Sequence, residues 1–186
     1  MMHPLSAEAI ALPTFTCIGI LIIIVPFTWH YRNSNVGTCS LILFVTLANF
    51  FTFVNAIIWP TDDYKNWWLG YGLCDIEAKL QFPYMTGVGC ATLCITRGLA
   101  IAIDVDRAEM LQTRSSKRRK VLTDLALCFA LPILQIILHY IIQPNRYYIE
   151  PIGGCAASFD NSWPTVAIMF MWPLILCLIN CYYVCT

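Results

Sequence analysis

Five stretches of this chain are long and oily enough to cross a lipid bilayer, and no other feature narrows its fold as far. A span needs about 20 mostly apolar residues, because roughly 30 Å of hydrocarbon is covered at about 1.5 Å per helical residue. Runs 9–29 and 38–59 carry no charge, and 80–103 carries only Arg97. Run 121–142 holds Asp124 near one end and His139 near the other, and 165–184 is again uncharged. With flanking turns, helices are expected at about 9–29, 38–59, 74–103, 121–142 and 164–184, in a single transmembrane bundle over 1–186. The fold class is therefore an all-α integral membrane helical bundle. Pro13, Pro26, Pro83, Pro132 and Pro173 should kink its helices, which is tolerated where neighbours re-satisfy the freed carbonyls. The first run has no basic start and is longer than a signal-peptide core of about 7 to 15 residues, so it reads as a retained helix.

Only 12% of residues are charged, against about 25% in a soluble domain. Eleven basic and eleven acidic residues cancel, leaving no overall field to attract nucleic acid. Position is what carries information. Arg107, Arg114, Lys117, Arg118, Arg119 and Lys120 crowd the connection 104–120, and Arg32 follows the first run. The opposite side has Lys65 and Arg146 beside Asp62, Asp63, Glu150, Asp160 and Glu8. Basic residues stay cytoplasmic during insertion, so the N-terminus is expected outside, with 104–120 a cytoplasmic loop and 143–163 an outer one. "RSSKRRK" then reads as a topological anchor, compatible with contact to anionic membrane lipid or a cytoplasmic partner. The chain stops at "CYYVCT", just past the fifth run and without polar anchors, so further helices are expected after it.

The ten cysteines have helical rather than chelating spacing. Cys90 and Cys94 stack on one face, as do Cys177, Cys181 and Cys185, and no histidine adjoins them, so small buried core residues are expected and no metal. Cys74 and Cys155 differ, lying at outer loop boundaries in an oxidising compartment, where they could pair or remain free. Asp75 and Lys79 are four apart and able to pair, with Glu77 projecting elsewhere. These three are either interfacial snorkelling residues or ligand contacts. Arg97, deeper and near the inner end, must face protein or water and is a candidate switch. Asn49, Asn55, Gln135, His139 and Asn180 read as interhelical glue, His139 being partly hydrated at the outer end. Trp59, Tyr64, Trp67, Trp68 and Tyr71 form an outer aromatic belt that also suits an amphipathic ligand. No catalytic motif, cofactor motif or internal repeat emerges, so an enzyme is not expected. A transporter or channel subunit is the rival class.

"LPILQIILHYIIQPNRYYIEPIGGC" resembles the fourth helix and second outer loop of fungal lipopeptide (a-factor type) mating pheromone receptors. "NAIIWPTD", "CDIEAKL", "LCITRGLAIAI" and "MFMWPLILCLINCYY" follow that family's order across nearly the whole chain. Pro83, Gly98, Pro144 and Pro151 depart from its usual pattern. The resemblance implies a seven-helix G-protein-coupled receptor in the plasma membrane, five of whose helices are present here. It also implies a peptide ligand with a prenylated C-terminal cysteine and coupling to a heterotrimeric G protein. Such a ligand would place its lipid among Trp59, Trp67, Trp68, Tyr147 and Tyr148. Asp75, Glu77, Lys79, His139, Arg146 and Glu150 would read its polar groups. Arg97, Arg114, Lys117, Arg118, Arg119 and Lys120 would lie on the G-protein side.

Overall fold

The computed structural model describes residues 7–61, 67–103 and 114–185. Its helices are α1 (Ala7–Arg32), α2 (Val36–Ile58), α3 (Leu73–Ile103), α4 (Arg114–Ile142) and α5 (Trp163–Cys185). All five are long and apolar enough to cross a membrane. Two short strands, β1 (Tyr148–Glu150) and β2 (Gly154–Ala156), form an antiparallel hairpin between α4 and α5.

Helix α3 lies at the centre, packed against α2, α4 and α5. Its buried face is made of small side chains, including Thr86, Gly87, Cys90, Ala91 and Cys94. In lipid the hydrophobic effect does not drive helices together, so close backbone approach and dispersion must. Gly87 shows this directly, since any β-carbon there would collide with the Phe44 ring of α2. Helix α1 packs on α2 and leaves most of its apolar surface exposed, as a lipid-facing helix does.

Helix ends follow local chemistry. Asn35 caps α2, its side chain accepting from the Thr38 N–H at 3.3 Å. Trp59 ends α2 one residue before Pro60, which disfavours helical geometry in its predecessor. Arg114–Lys120, expected in a loop, are instead the first two turns of α4. Lysine and arginine are good helix formers, and their long stems reach water from a helix. Within α5, Val166–Phe170 form a π turn ahead of Pro173. Pro173 offers no N–H to the preceding turn, and Gln135 of α4 donates to the Ile168 carbonyl at 3.3 Å.

Asn49 is not interhelical glue, because its amide donates to Val45 of its own helix at 2.9 Å. Cys177, Cys181 and Cys185 do share one face of α5, but that face is exposed and not in the core. Spacing identifies a stripe, not the direction in which it points. Asn55, Gln135, His139 and Asn180 do join separate elements, with Asn180 accepting from Thr96 of α3 at 2.8 Å.

Candidate functional site: a tethered hairpin over the bundle mouth

Residues 143–163 fold back over one end of the bundle. Cys74, at the start of α3, and Cys155, on β2, are joined by a disulfide, with 5.1 Å between their Cα atoms. Both are buried with Trp59, and Ile58, Trp67, Leu73, Tyr147 and Ile149 pack around them. The hairpin turn is fixed to α2 at its tip. Ile152 takes a left-handed φ of 63°, costly for a β-branched residue, and its N–H donates to the Trp59 carbonyl at 2.9 Å. Gly154, at φ 73°, lies so close to Asn55 that a β-carbon would overlap the amide.

Beneath the hairpin is a polar node. Asn55 donates from Nδ2 to Glu77 Oε1 at 2.6 Å and to the Gly153 carbonyl at 2.9 Å. Glu77 is only 4% exposed, so it lies under the hairpin rather than on its surface. Its Oε2, like Asn55 Oδ1, has no hydrogen-bond partner among the described residues. The pattern of one acidic residue two positions from another gave no sign that only Glu77 would be covered.

The charges at the rim pair differently from the expectation. Asp75 does not pair with Lys79. It accepts from Arg146 Nη2 at 2.8 Å and Nε at 3.1 Å. Lys79 instead reaches Gln143 at 3.4 Å and stands 4.5 Å from the centre of the Tyr140 ring. The reason is geometric: a guanidinium fork matches both carboxylate oxygens, whereas a lysine offers a single point of charge. Asp75, Lys79, Tyr140, Gln143 and Arg146 line a hollow of about 660 Å³ with Pro144 and Asn145.

The aromatic residues split into buried and exposed groups. Trp59 is fully buried, stacks on Trp68 with centroids 6.1 Å apart, and donates to the Trp68 carbonyl at 3.1 Å. Trp67 donates to Thr61 at 2.9 Å. Trp68, Tyr71 and Tyr148 remain exposed. Tyr147 donates to the Leu69 carbonyl at 2.8 Å. Desolvation, and then the nearby Asp75 carboxylate, raise its phenol above the ordinary tyrosine range, which keeps the donor protonated. Glu150 is exposed on β1. Tyr64, Lys65, Asp62 and Asp63 lie outside the described residues, as does Arg107.

His139 is only 1% exposed and not partly hydrated: its Nε2 lies 3.2 Å from the carbonyl of Ser158, two residues past β2, anchoring that segment to α4. Sequence reasoning passed over Gln81 and Phe82. Gln81 accepts from the Ala157 N–H at 2.8 Å, and Phe82 meets Phe159 and Phe170 edge-on at 5.8 and 5.3 Å. Their partners come from residues about 75 positions or more further on, so no local signal marks them.

At the far end of the bundle, Arg97 of α3 faces Asp124 of α4 at 3.5 Å, both only partly exposed. Lys117, Arg118, Arg119 and Lys120 are exposed on the first turns of α4, where Arg114 begins the helix. No cluster of three metal-ligating side chains occurs among the described residues.

This is an integral membrane helical bundle of the receptor kind, with a tethered cover at one end and a basic rim at the other. The Pheromone A receptor family matches residues 11–186, and the chain belongs to that family. It is 32% identical over 173 residues to the pheromone B alpha 2 receptor of Schizophyllum commune, covering 93% of this chain and 25% of that protein. It is 28% identical to the pheromone a factor receptor of Saccharomyces cerevisiae over 166 residues, 89% of this chain and 35% of the relative. Pheromone receptor 1 of Mycosarcoma maydis is 28% identical over 169 residues, 88% and 43% of the two chains. The chain thus spans about a quarter of the length of the Schizophyllum relative. No solved structure matches it. The family is one of receptors, not of transporters or enzymes.

Proposed function

We propose that the chain acts in a G-protein-coupled mating pheromone receptor of the fungal plasma membrane, with its N-terminus and hairpin outside. Orientation is supported from two directions. Arg32 and Lys117–Lys120 gather at one end, as the retention of basic residues on the cytoplasmic side requires. The disulfide lies at the other end, and disulfides persist in oxidising compartments.

The ligand is a lipid-modified peptide. Its prenyl chain is held by the exposed aromatic surface of Trp68, Tyr71 and Tyr148, at ~0.8 kcal/mol for each buried methylene. Its polar groups are read in the hollow of Asp75, Lys79 and Arg146, and by Glu150, exposed on the hairpin. Trp59, Trp67, Tyr147, Glu77 and His139 hold the cover in shape beneath that surface. Binding favours one packing of the helices and shifts the Arg97–Asp124 contact at the opposite end, where Arg114 and Lys117–Lys120 meet the G protein.

The single observation behind this reading is the hairpin bonded to α3 and seated on Trp59, since it makes one element of the ligand-side surface and the helix ends. Exchanging residues 143–163 between two receptors of different pheromone preference, in full-length form, tests it. Preference should travel with the segment; preference that stays with the remaining sequence contradicts the reading.

A further inference from the structure

Two hollows at the basic end share a wall. The first, of about 660 Å³, is an apolar slot between α1, α2 and α4, lined by Phe27, Tyr31, Leu43, Val121, Leu125 and Phe129. The second, of about 670 Å³, is lined by Lys117, Arg118 and Lys120 of α4 together with Asn33 and Ser34 of the α1–α2 turn. Ser34 and Val121 belong to both, so slot and basic cradle lie side by side. Arg32 stands at the rim of the slot. Asp124 also lines the cradle, but its charge is engaged by Arg97 at 3.5 Å, which leaves the cradle positive.

An apolar groove on membrane-spanning helices, adjoining three cations at the helix end, has the polarity of one molecule: a chain of hydrocarbon ending in an anion. A soluble phosphate would leave the slot unfilled, and a zwitterionic lipid would bring its own cation into the cradle. We infer that this groove is a binding site for an anionic phospholipid, one acyl chain lying in the Phe27–Leu43–Phe129 slot and the phosphate held by Lys117, Arg118 and Lys120. The lipid would bridge α4 to the α1–α2 turn, and so couple the composition of the membrane to the position of the helix that carries Asp124. The site goes beyond the pheromone reading and does not need it. The proposed orientation decides only which leaflet supplies the lipid, and a measurement in detergent is independent of that.

The test is native mass spectrometry of the full chain in detergent, titrated with dioleoyl phosphatidylinositol 4-phosphate, dioleoyl phosphatidylcholine, or inorganic phosphate. One phosphatidylinositol phosphate should bind in preference to the other two. The triple substitution K117Q/R118Q/K120Q should weaken it about a hundredfold, each basic residue near an anionic headgroup contributing roughly fivefold. Leu43→Trp fills the slot without altering charge and should weaken it about tenfold, the equivalent of roughly two methylenes. Leu43 and Leu125 are both exposed, so Leu125→Trp serves as a second slot variant if the first alters helicity or melting in lipid-free detergent. Equal binding of phosphatidylcholine, unchanged binding by the triple variant, or indifference to both slot variants would each overturn the proposal, the last by showing diffuse attraction to a charged rim.

Discussion

The guanidinium of Arg146 holds both carboxylate oxygens of Asp75, at 2.8 and 3.1 Å, across 71 residues of sequence. The pair closes the rim beside the Cys74–Cys155 bond, but the Arg146 side chain is 69% exposed and Asp75 28%. An ion pair so open to water contributes at most about 1 kcal/mol to stability. Arg146→Ala should therefore leave the melting midpoint nearly unchanged while weakening the pheromone response. A dose–response curve measured beside a thermal melt checks this, and a large fall in midpoint with an unchanged response reverses the assignment.

Removing the disulfide should loosen the cover without dissolving the bundle. The bond closes a loop of 81 residues, for which chain entropy alone gives about 4.5 kcal/mol. Helices that stay inserted in the membrane narrow the unfolded ensemble, so ~1–2 kcal/mol is expected instead. Cys74→Ser and Cys155→Ser should lose the same amount, and the double variant no more. Non-reducing alkylation with a mass-tagged maleimide should label two fewer cysteines in the parent protein than in its reduced form.

Gly154→Ala tests the seat of the hairpin. Its β-carbon would overlap Asn55, and its φ of 73° is unfavourable to alanine. A loss of roughly 2 kcal/mol is expected, together with faster tryptic cleavage after Arg146. Asn55→Ala removes the donor that Glu77 and Gly153 share and should cost about 1–3 kcal/mol. Because both changes disrupt one contact, their effects should not add.

Most of the bundle was legible because a bilayer imposes length and apolarity, which sequence displays directly. The site was less so. Asp75 and Lys79 satisfy the helical pairing rule, yet the better fork, Arg146, arrives from a distant loop and takes the carboxylate. Glu77 projects away from Asp75, because a helix turns about 200° over two positions, but that offset does not tell which of the two the hairpin covers. One is buried and one is at the rim. Arg114–Lys120 looked like loop because they are charged, whereas charge marks the membrane boundary and not the end of a helix. The disulfide stayed one of two readings until the fold set the two cysteines side by side.

Asp124→Asn tests the opposite end. Weakening the contact with Arg97 should shift the receptor toward its signalling packing by about 1 kcal/mol, raising ligand-independent output roughly fivefold. A transcriptional reporter of pheromone signalling, read without ligand in cells carrying the full-length receptor, measures it. Output at or below the parent level assigns the pair to structure alone.

The central claim is that pheromone rests on the tethered hairpin and its rim. Photo-crosslinking tests it most directly, with a benzophenone amino acid placed singly at Tyr148, Trp68 or Lys79, and at the lipid-facing Ile22 as reference, in the full-length receptor. Labelled pheromone should attach at the first three positions and be displaced by unlabelled ligand, with none at Ile22. Displaceable labelling that is absent from all three rim positions would contradict the account.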